Sequence, residues 1–573
     1  MSDYLHGAYG DSQANGNRIP VEAESAVVCI GTAPVHQIAL GTGEHYAVDE
    51  PKLIHNIAEA KKVLGYSDDW ASYSLCELMH YFFEVKGIGP LVMINVLDPE
   101  KHVGLSEVTE SKTPSEGAFT LAGADKIDLD SIVVTGKTKD TDYTVTTNST
   151  NNTVVITEKT EGSLGTAALD VTYSKNTGSS VSKTPSGNKI TITNAENIIL
   201  DSVVLKTAPQ SGDPVVKVKN TDYTIAYNTA KKTIVITGLT NLGTDAMTVE
   251  YNTVNPAAVT SDDVIGSTDN LGTNTGIFAV KNVYQETGMI PAYMIAPGFS
   301  SVPAIHAAMF QNSQKVNGHW DMWMFTDLPI LDGTTAITMS TAVTWKNANG
   351  YTHENETVYF PMIEGTDGNK YHLSTLATAN FLELLSENEG IPFHSASNTD
   401  APIIAKLWLG AGSVNKLFDD QIINENLNKN GIASAAFVGG RWAIWGAHSA
   451  DYSENDATYV NVAETARMML YYVSNDFQAR RPRDVDQPLT RNGIDSIVAE
   501  EQNRLDALVA MGALSYGSAA LSAESLENSD VYSGDFLFEF RVTTVPLAKS
   551  LKALVTWVDE GFTTYFSTEA EEA

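Results

Sequence analysis

The chain has 573 residues, of which 43% are apolar and 18% charged, and its 36 Lys and Arg face 70 Asp and Glu for a formal charge of -34. Such an acidic surface repels phosphates, which argues against a nucleic acid or an anionic membrane as a direct partner. The length exceeds what a single core fills, so roughly three to five domains are expected. Cys29 and Cys76, the two cysteines, sit among apolar neighbours and read as small buried hydrophobes of a protein folded in a reducing cytoplasm. No basic segment followed by an apolar one opens the chain, and no window reaches about 18 apolar residues, so neither a signal peptide nor a membrane span is expected.

Residues 1–22 are rich in Gly, Asn, Asp and Ser, show no period, and read as an extended arm. A β run at 26–34, helical segments at 54–64 and 73–85, and a continuous apolar run at 90–97 then give an α/β beginning. Near Glu110 the composition shifts to Thr, Asn, Lys and Val, and the chain repeats itself. Lys112-Thr113-Pro114-Ser115 returns as Lys183-Thr184-Pro185-Ser186, and Asp140-Thr141-Asp142-Tyr143 as Asn220-Thr221-Asp222-Tyr223. Each unit consists of short alternating strands between Gly and Asn turns, which predicts two tandem immunoglobulin-like β-sandwiches over 111–178 and 179–257. Their Asp and Asn residues are read as turn formers instead of calcium ligands.

The α/β pattern resumes after about residue 258, so the sandwiches interrupt one domain, taken as 23–110 plus 258–430. Helices are expected at 302–316, 373–388 and 462–477, and a hairpin at 432–446 turns across Gly439-Gly440. A helix from 494 to about 514 places Ile494, Ile497, Val498, Leu505, Leu508 and Val509 on an apolar face, with Asp495, Glu500, Glu501, Arg504 and Asp506 on the other. In the strand 536–545, Phe536, Phe538, Phe540 and Val542 share a face. Pro546 then opens an expected helix carrying Leu547, Leu551, Leu554, Val555 and Val558, and Gly561 ends it. A last strand, Phe562, Thr563, Thr564, Tyr565 and Phe566, precedes an acidic tail. An aromatic terminal strand left uncovered invites pairing, so it closes its own sheet or a neighbour's. The fold class is thus α/β (α+β), multidomain, with 431–560 as a C-terminal domain and 561–573 as a linking strand and tail.

Chemistry is hard to place. The sequence contains no phosphate loop, strand-coupled Gly-x-Gly-x-x-Gly, His-Glu-x-x-His or Gly-x-Ser-x-Gly. His36, His45 and His55 fit no common helical or strand face, which argues against a metal site there, and Asp419-Asp420 reads as helix-surface charge. Catalytic residues, metals and cofactors are therefore not expected. Arg480, Arg481 and Arg483 form the one concentrated basic cluster. Ion pairing within the chain or across a subunit contact is the first reading, with a solvated loop and an anion site as alternatives.

The arm Tyr4-Leu5-His6-Gly7-Ala8-Tyr9-Gly10, the block Pro20-Val21-Glu22-Ala23 to Ile30-Gly31-Thr32-Ala33-Pro34, and Asn282-Val283-Tyr284 with Ile295-Ala296-Pro297-Gly298-Phe299 come in a telling order. Gly440-Arg441-Trp442-Ala443-Ile444-Trp445-Gly446, Arg481-Pro482-Arg483-Asp484 and the C-terminal strand, helix and strand complete it. Over roughly residues 1–105 and 260–566 the chain resembles the contractile tail sheath proteins of bacteriophages and phage-tail-like bacteriocins. The resemblance implies a structural, non-enzymatic subunit that forms stacked hexameric rings around an inner tube and contracts without hydrolysing nucleotide. It implies strand addition between subunits through Tyr4, Leu5 and His6 at one end and Phe562 to Phe566 at the other, with Glu500, Glu501 and Arg504 as candidate tube contacts. The implied partners are other copies of the chain, the inner tube protein, and baseplate and tail terminator proteins, assembled in the bacterial host cytoplasm, with the sandwiches on the outer surface. The competing readings are a surface adhesin with tandem immunoglobulin-like domains, disfavoured by the missing signal peptide, and a metabolic enzyme with inserted domains.

Overall fold

The computed structural model describes residues 24–41, 43–176, 178–208, 213–411, 419–454, 463–524 and 533–561. The chain divides into two compact units, residues 1–488 and 489–573.

The first unit is built on an eight-stranded sheet. In spatial order its strands are Lys52–Ile54, Leu91–Asn95, Ser25–Gly31, Ile290–Ile295, Trp323–Asp327, Glu356–Tyr359, Ile432–Val438 and Arg441–Trp445. The inner pairs run parallel, and an antiparallel strand closes each end. Continuous apolar runs suit this arrangement because both faces of a parallel sheet are covered. On the central strand Val27 and Cys29 point to one hydrophobic cluster, while Ala26, Val28 and Ile30 point to the other. Helices Ile57–Val63, Ser74–Leu78 and Leu373–Glu387 supply the first cluster, and Ser261–Ile265, Val283–Thr287 and Pro303–Ser313 the second. The helical turns that begin at Ser74 continue to Lys86.

The hairpin Ile432–Val438/Arg441–Trp445 turns at Gly439 and Gly440, whose φ values of 61° and 83° belong to the left-handed region that glycine tolerates. It extends the same sheet as Ser25–Gly31, so that sheet does not end at the boundary expected at residue 431. The compact units part instead between Pro488 and Leu489. A continuous hydrogen-bonded ladder ties 432–445 to the earlier strands, and composition alone does not reveal such pairing.

Both cysteines are buried free thiols, and burial raises Cys76 to about 12 and Cys29 further still. His36, His45 and His55 have separate partners. His36 donates from Nε2 to the Glu196 carbonyl (2.7 Å), His45 meets Glu50 (2.7 Å), and His55 meets Glu59 (3.0 Å). Asp419 caps the helix Asp420–Asn426 by accepting from the Ile422 N–H at 2.9 Å, and Asp420 lies in that helix's first turn.

The repeated segment forms two small sandwiches with one design. In the first, Ser106–Lys112, Leu169–Lys175 and Val133–Val134 make one three-stranded antiparallel sheet, and Ala118–Ala122, Thr153–Glu158 and Tyr143–Asn148 the other. The second copy repeats this order strand for strand, from Ser179–Lys183 to Met247–Tyr251. The equivalent turns are built alike. Asp142 and Asp222 each accept a backbone N–H four residues earlier at 2.8 Å, and Asp140 and Asn220 both have φ of 62°. The first strand starts at Ser106, a few residues before the expected 111.

The insertion is closed at its neck. Val103 bridges Val254, the Gly104 N–H donates to the Thr253 carbonyl (2.6 Å), and the Asn255 N–H donates to the His102 carbonyl (2.7 Å). The second sandwich also rests on the core, where the Gln37 side chain joins His36 on the Glu196 carbonyl at 3.1 Å and the Tyr73 hydroxyl donates to Asn197 at 3.3 Å. Burial holds His36 neutral by lowering its pKa to about 4, which suits a ring used as a neutral donor.

Candidate assembly surface

In the first unit the basic cluster lies at the end of the helix Glu464–Arg480, and the first residue of that helix is anchored in the core. Glu464 is buried and accepts from Ser395 and Thr357, both at 2.6 Å, while the Trp323 indole donates to Thr357 at 3.0 Å. Burial raises the Glu464 pKa, and the two hydroxyl donors oppose that shift. At the other end Arg480 pairs with Asp476 one turn back (2.9 Å) and Arg481 with Asp484 (3.2 Å), with the Arg481 guanidinium 6.0 Å from the Phe477 ring centroid. Arg483, beyond the helix, is exposed. These distances are those of intrachain ion pairing, and cations at a helix C-terminus also complement its dipole.

In the second unit the helix Arg491–Ala510 packs on a two-stranded antiparallel sheet of Leu514–Leu521 and Phe538–Thr544. Gly517 permits the close approach, because a Cβ there would lie 2.8 Å from the Cβ of Leu505. Gln502 then spans the gap, donating to the Gly517 carbonyl (3.1 Å) and accepting from the Ala519 N–H (2.9 Å). Along Phe538–Thr544, Phe538, Phe540 and Val542 are half-buried while Glu539, Arg541 and Thr543 are exposed, and Arg541 pairs with Glu539 at 2.9 Å.

Two expectations are corrected here. Glu501 does not share the solvent face with Glu500. It is 3% exposed and lies in line with Ile497, Leu505 and Leu508, as helical spacing from 497 to 508 requires, whereas Glu500 is exposed and Arg504 half-buried. The helix expected from Pro546 is also absent among the described residues. Residues 545–558 are irregular, and Leu551, Leu554, Val555 and Trp557 are 91%, 93%, 90% and 76% exposed. Short helices draw their stability from packing an apolar face, and among the described residues none covers Leu551, Leu554 and Val555.

The strand 514–521 went unread in the sequence because its Ser, Gly and Ala residues dilute the period-two signal, and only the tertiary pairing with the phenylalanine strand reveals it. Tyr4, Leu5, His6, Phe562, Thr563, Thr564, Tyr565 and Phe566 lie outside the described residues. Arg480, Arg481 and Arg483 cluster in the first unit, and Glu500, Glu501 and Arg504 in the second.

No family model matches the chain. A curated relative, the tail sheath protein of Burkholderia phage BcepMu, is 22% identical over 339 residues, covering 57% of this chain and 68% of its own length. Solved structures with a similar trace include the sheath tail protein of Desulfitobacterium hafniense (TM-score 0.46, 11% identity, 94% of this chain and 100% of that one). Another is the sheath complex of the extracellular contractile injection system PVC in its contracted state (TM-score 0.40, 14% identity, 53% and 81%). Likenesses at these scores add nothing to the assignment, which rests on the curated relative and on the order of motifs along the chain. The chain is a relative of the contractile tail sheath proteins.

Proposed function

We propose that the protein is the structural subunit of a contractile tail sheath, polymerising as stacked hexameric rings around an inner tube and contracting to drive that tube through a target envelope. One observation carries the reading. In a relative of sheath proteins, residues 551–558 present four large apolar side chains at between 76% and 93% exposure, an arrangement that costs free energy in an isolated chain and is relieved when another surface covers it. The two-stranded sheet beside this segment supports the same view, since a sheet of two strands has open edges to which a neighbour can add a strand. In this reading the donor strands are Tyr4 to His6 and Phe562 to Phe566. Head-to-tail addition of this kind builds rings and helices instead of closed dimers.

Arg480, Arg481 and Arg483 form a subunit contact, and the exposed Glu500 side of the helix Arg491–Ala510, with Arg504 beside it, faces the tube. Baseplate and terminator proteins cap the polymer, which assembles in the bacterial cytoplasm. The two sandwiches are immunoglobulin-like inserts on the outside of the sheath. Their closed neck at Val103 and Val254 supports this placement, because it lets them project without interrupting the sheet. Conformational energy stored on assembly drives the work, so the reading calls for no catalytic residue and no cofactor.

Negative-stain microscopy of the purified full chain tests the proposal. Tubes or polysheaths are expected, and the triple variant L551D/V555D/W557D should remain folded yet fail to form them. A wild-type protein that stays a monodisperse monomer at high concentration, or a triple variant that forms normal tubes, would overturn it.

A further inference from the structure

Among the described residues, one cluster of metal-ligand types lies within the first unit. His306 on the helix Pro303–Ser313, His353 in the loop before the strand Glu356–Tyr359 and Glu356 at the start of that strand each place one ligand atom within 4.8 Å of the others. Helix geometry and aromatic stacking organise them. The His306 and Phe310 side chains are one turn apart on a helix face. The His353 ring stacks on Phe310 (3.5 Å, 7°), and the His306 ring lies between Tyr351 (3.7 Å, 14°) and His353 (5.3 Å, 26°). Rings held on both sides have few other orientations open to them, which is how a coordination site is preorganised.

Hydrogen bonding points the same way. His306 Nε2 lies 2.7 Å from Glu356 Oε1, and the Thr326 hydroxyl donates to that same oxygen at 2.5 Å, in the manner of an outer-shell partner. The other carboxylate oxygen, Glu356 Oε2, is fully buried with no hydrogen-bond partner. A buried carboxylate oxygen without a donor is costly, and a cation supplies what the protein does not. Lys346 attracts Glu356 electrostatically but donates an ammonium hydrogen bond to the Ala450 carbonyl at 2.6 Å.

We propose that His306, His353 and Glu356 form a binding site for a divalent transition-metal ion of the zinc class. Two imidazoles and a carboxylate match the donor preference of that ion and leave one position for water. His306 and Glu356 are buried, so the half-buried His353 is the gate through which the ion enters. An ion held there ties the helix Pro303–Ser313 to the loop before Glu356–Tyr359 and stiffens the core independently of polymerisation.

The full chain, stripped with chelator, is titrated with zinc chloride by calorimetry and with cobalt chloride by visible absorption. The wild type is expected to take up one zinc per chain at micromolar or tighter affinity, to show the intense visible bands of tetrahedral cobalt, and to unfold at a higher temperature with zinc than without. H353F keeps the stack on Phe310 while removing a ligand nitrogen, and is expected to bind at least about tenfold more weakly with unchanged apo unfolding. Absence of micromolar binding to the wild type, or equal zinc affinity and cobalt spectra in wild type and H353F, would overturn the proposal. Should H353F unfold, E356Q serves in its place against the same two results.

Discussion

Replacing His372 with Ala is expected to destabilise the first unit by about 3 kcal/mol near neutral and acidic pH, and by progressively less as the pH rises. His372 sits at the N-terminus of the helix Leu373–Glu387. Its Nδ1 lies 2.8 Å from Glu77 Oε2 and its backbone N–H donates to Glu77 Oε1, also at 2.8 Å. The Glu77 side chain is 2% exposed and that of His372 18%, so solvent screens the pair little. Burial alone would lower the His372 pKa, but the Glu77 carboxylate, with Asp327 behind it, overrides this and raises it from 6.5 to about 9. At about 1.4 kcal/mol per pH unit that rise amounts to the 3 kcal/mol stated. The folded pKa lies above the unfolded one, so the stabilisation is complete below about pH 6.5 and is lost as the pH climbs through about 9. Glu77 keeps the Thr375 hydroxyl as a donor at 2.6 Å in the variant, which limits collateral disruption. Urea unfolding of both proteins, followed by tryptophan fluorescence across pH 6 to 10, measures the difference. A difference that stays constant over that range would refute the argument, since it would show that lost packing and not the charge pair carries the effect.

Three further outcomes are expected. Gly517→Ala puts a Cβ 2.8 Å from that of Leu505 and should cost about 1–3 kcal/mol, read as faster hydrogen exchange along residues 514–521 with the rest of the chain unchanged. Excising residues 104–253 rejoins two ends already in hydrogen-bond contact, so the sheet should fold and tubes should still form. The core midpoint should nevertheless fall, because the supports at Glu196 and Asn197 go with the insert, and scanning calorimetry with microscopy checks both results. Asp222→Ala removes the acceptor for the Val218 N–H and should lower stability by about 1 kcal/mol, matched by Asp142→Ala in the other copy, in denaturant unfolding of the full chain.

Local pattern made much of this protein legible from its residues. The apolar runs at 26–31, 91–95 and 290–295 are long enough, and flanked clearly enough, to read as strands buried on both faces, and the repeat announced two equal modules before any strand pairing was known. Gly439-Gly440 specified its turn because few residues accept the left-handed conformation there. The relation to tail sheath proteins was likewise readable, from motifs in order along most of the chain.

What the sequence could not supply depends on partners distant in the chain. The pairing that carries the sheet from Tyr359 to Ile432 crosses a long separation, so the edge hairpin belongs to the first unit although composition placed a boundary before it. Glu501 has the residue type of a surface charge, but its helical phase places it in line with buried Ile497, Leu505 and Leu508. The segment after Pro546 has the spacing of a helix, yet a periodic pattern states only which face would be buried, and burial needs a second surface. Charge, periodicity and repetition are properties of a stretch of chain, so the sequence by itself determined them. The His306, His353 and Glu356 cluster, the Glu77 to His372 pair and the closed neck of the insertion are properties of approach in space, which the tertiary structure alone decided.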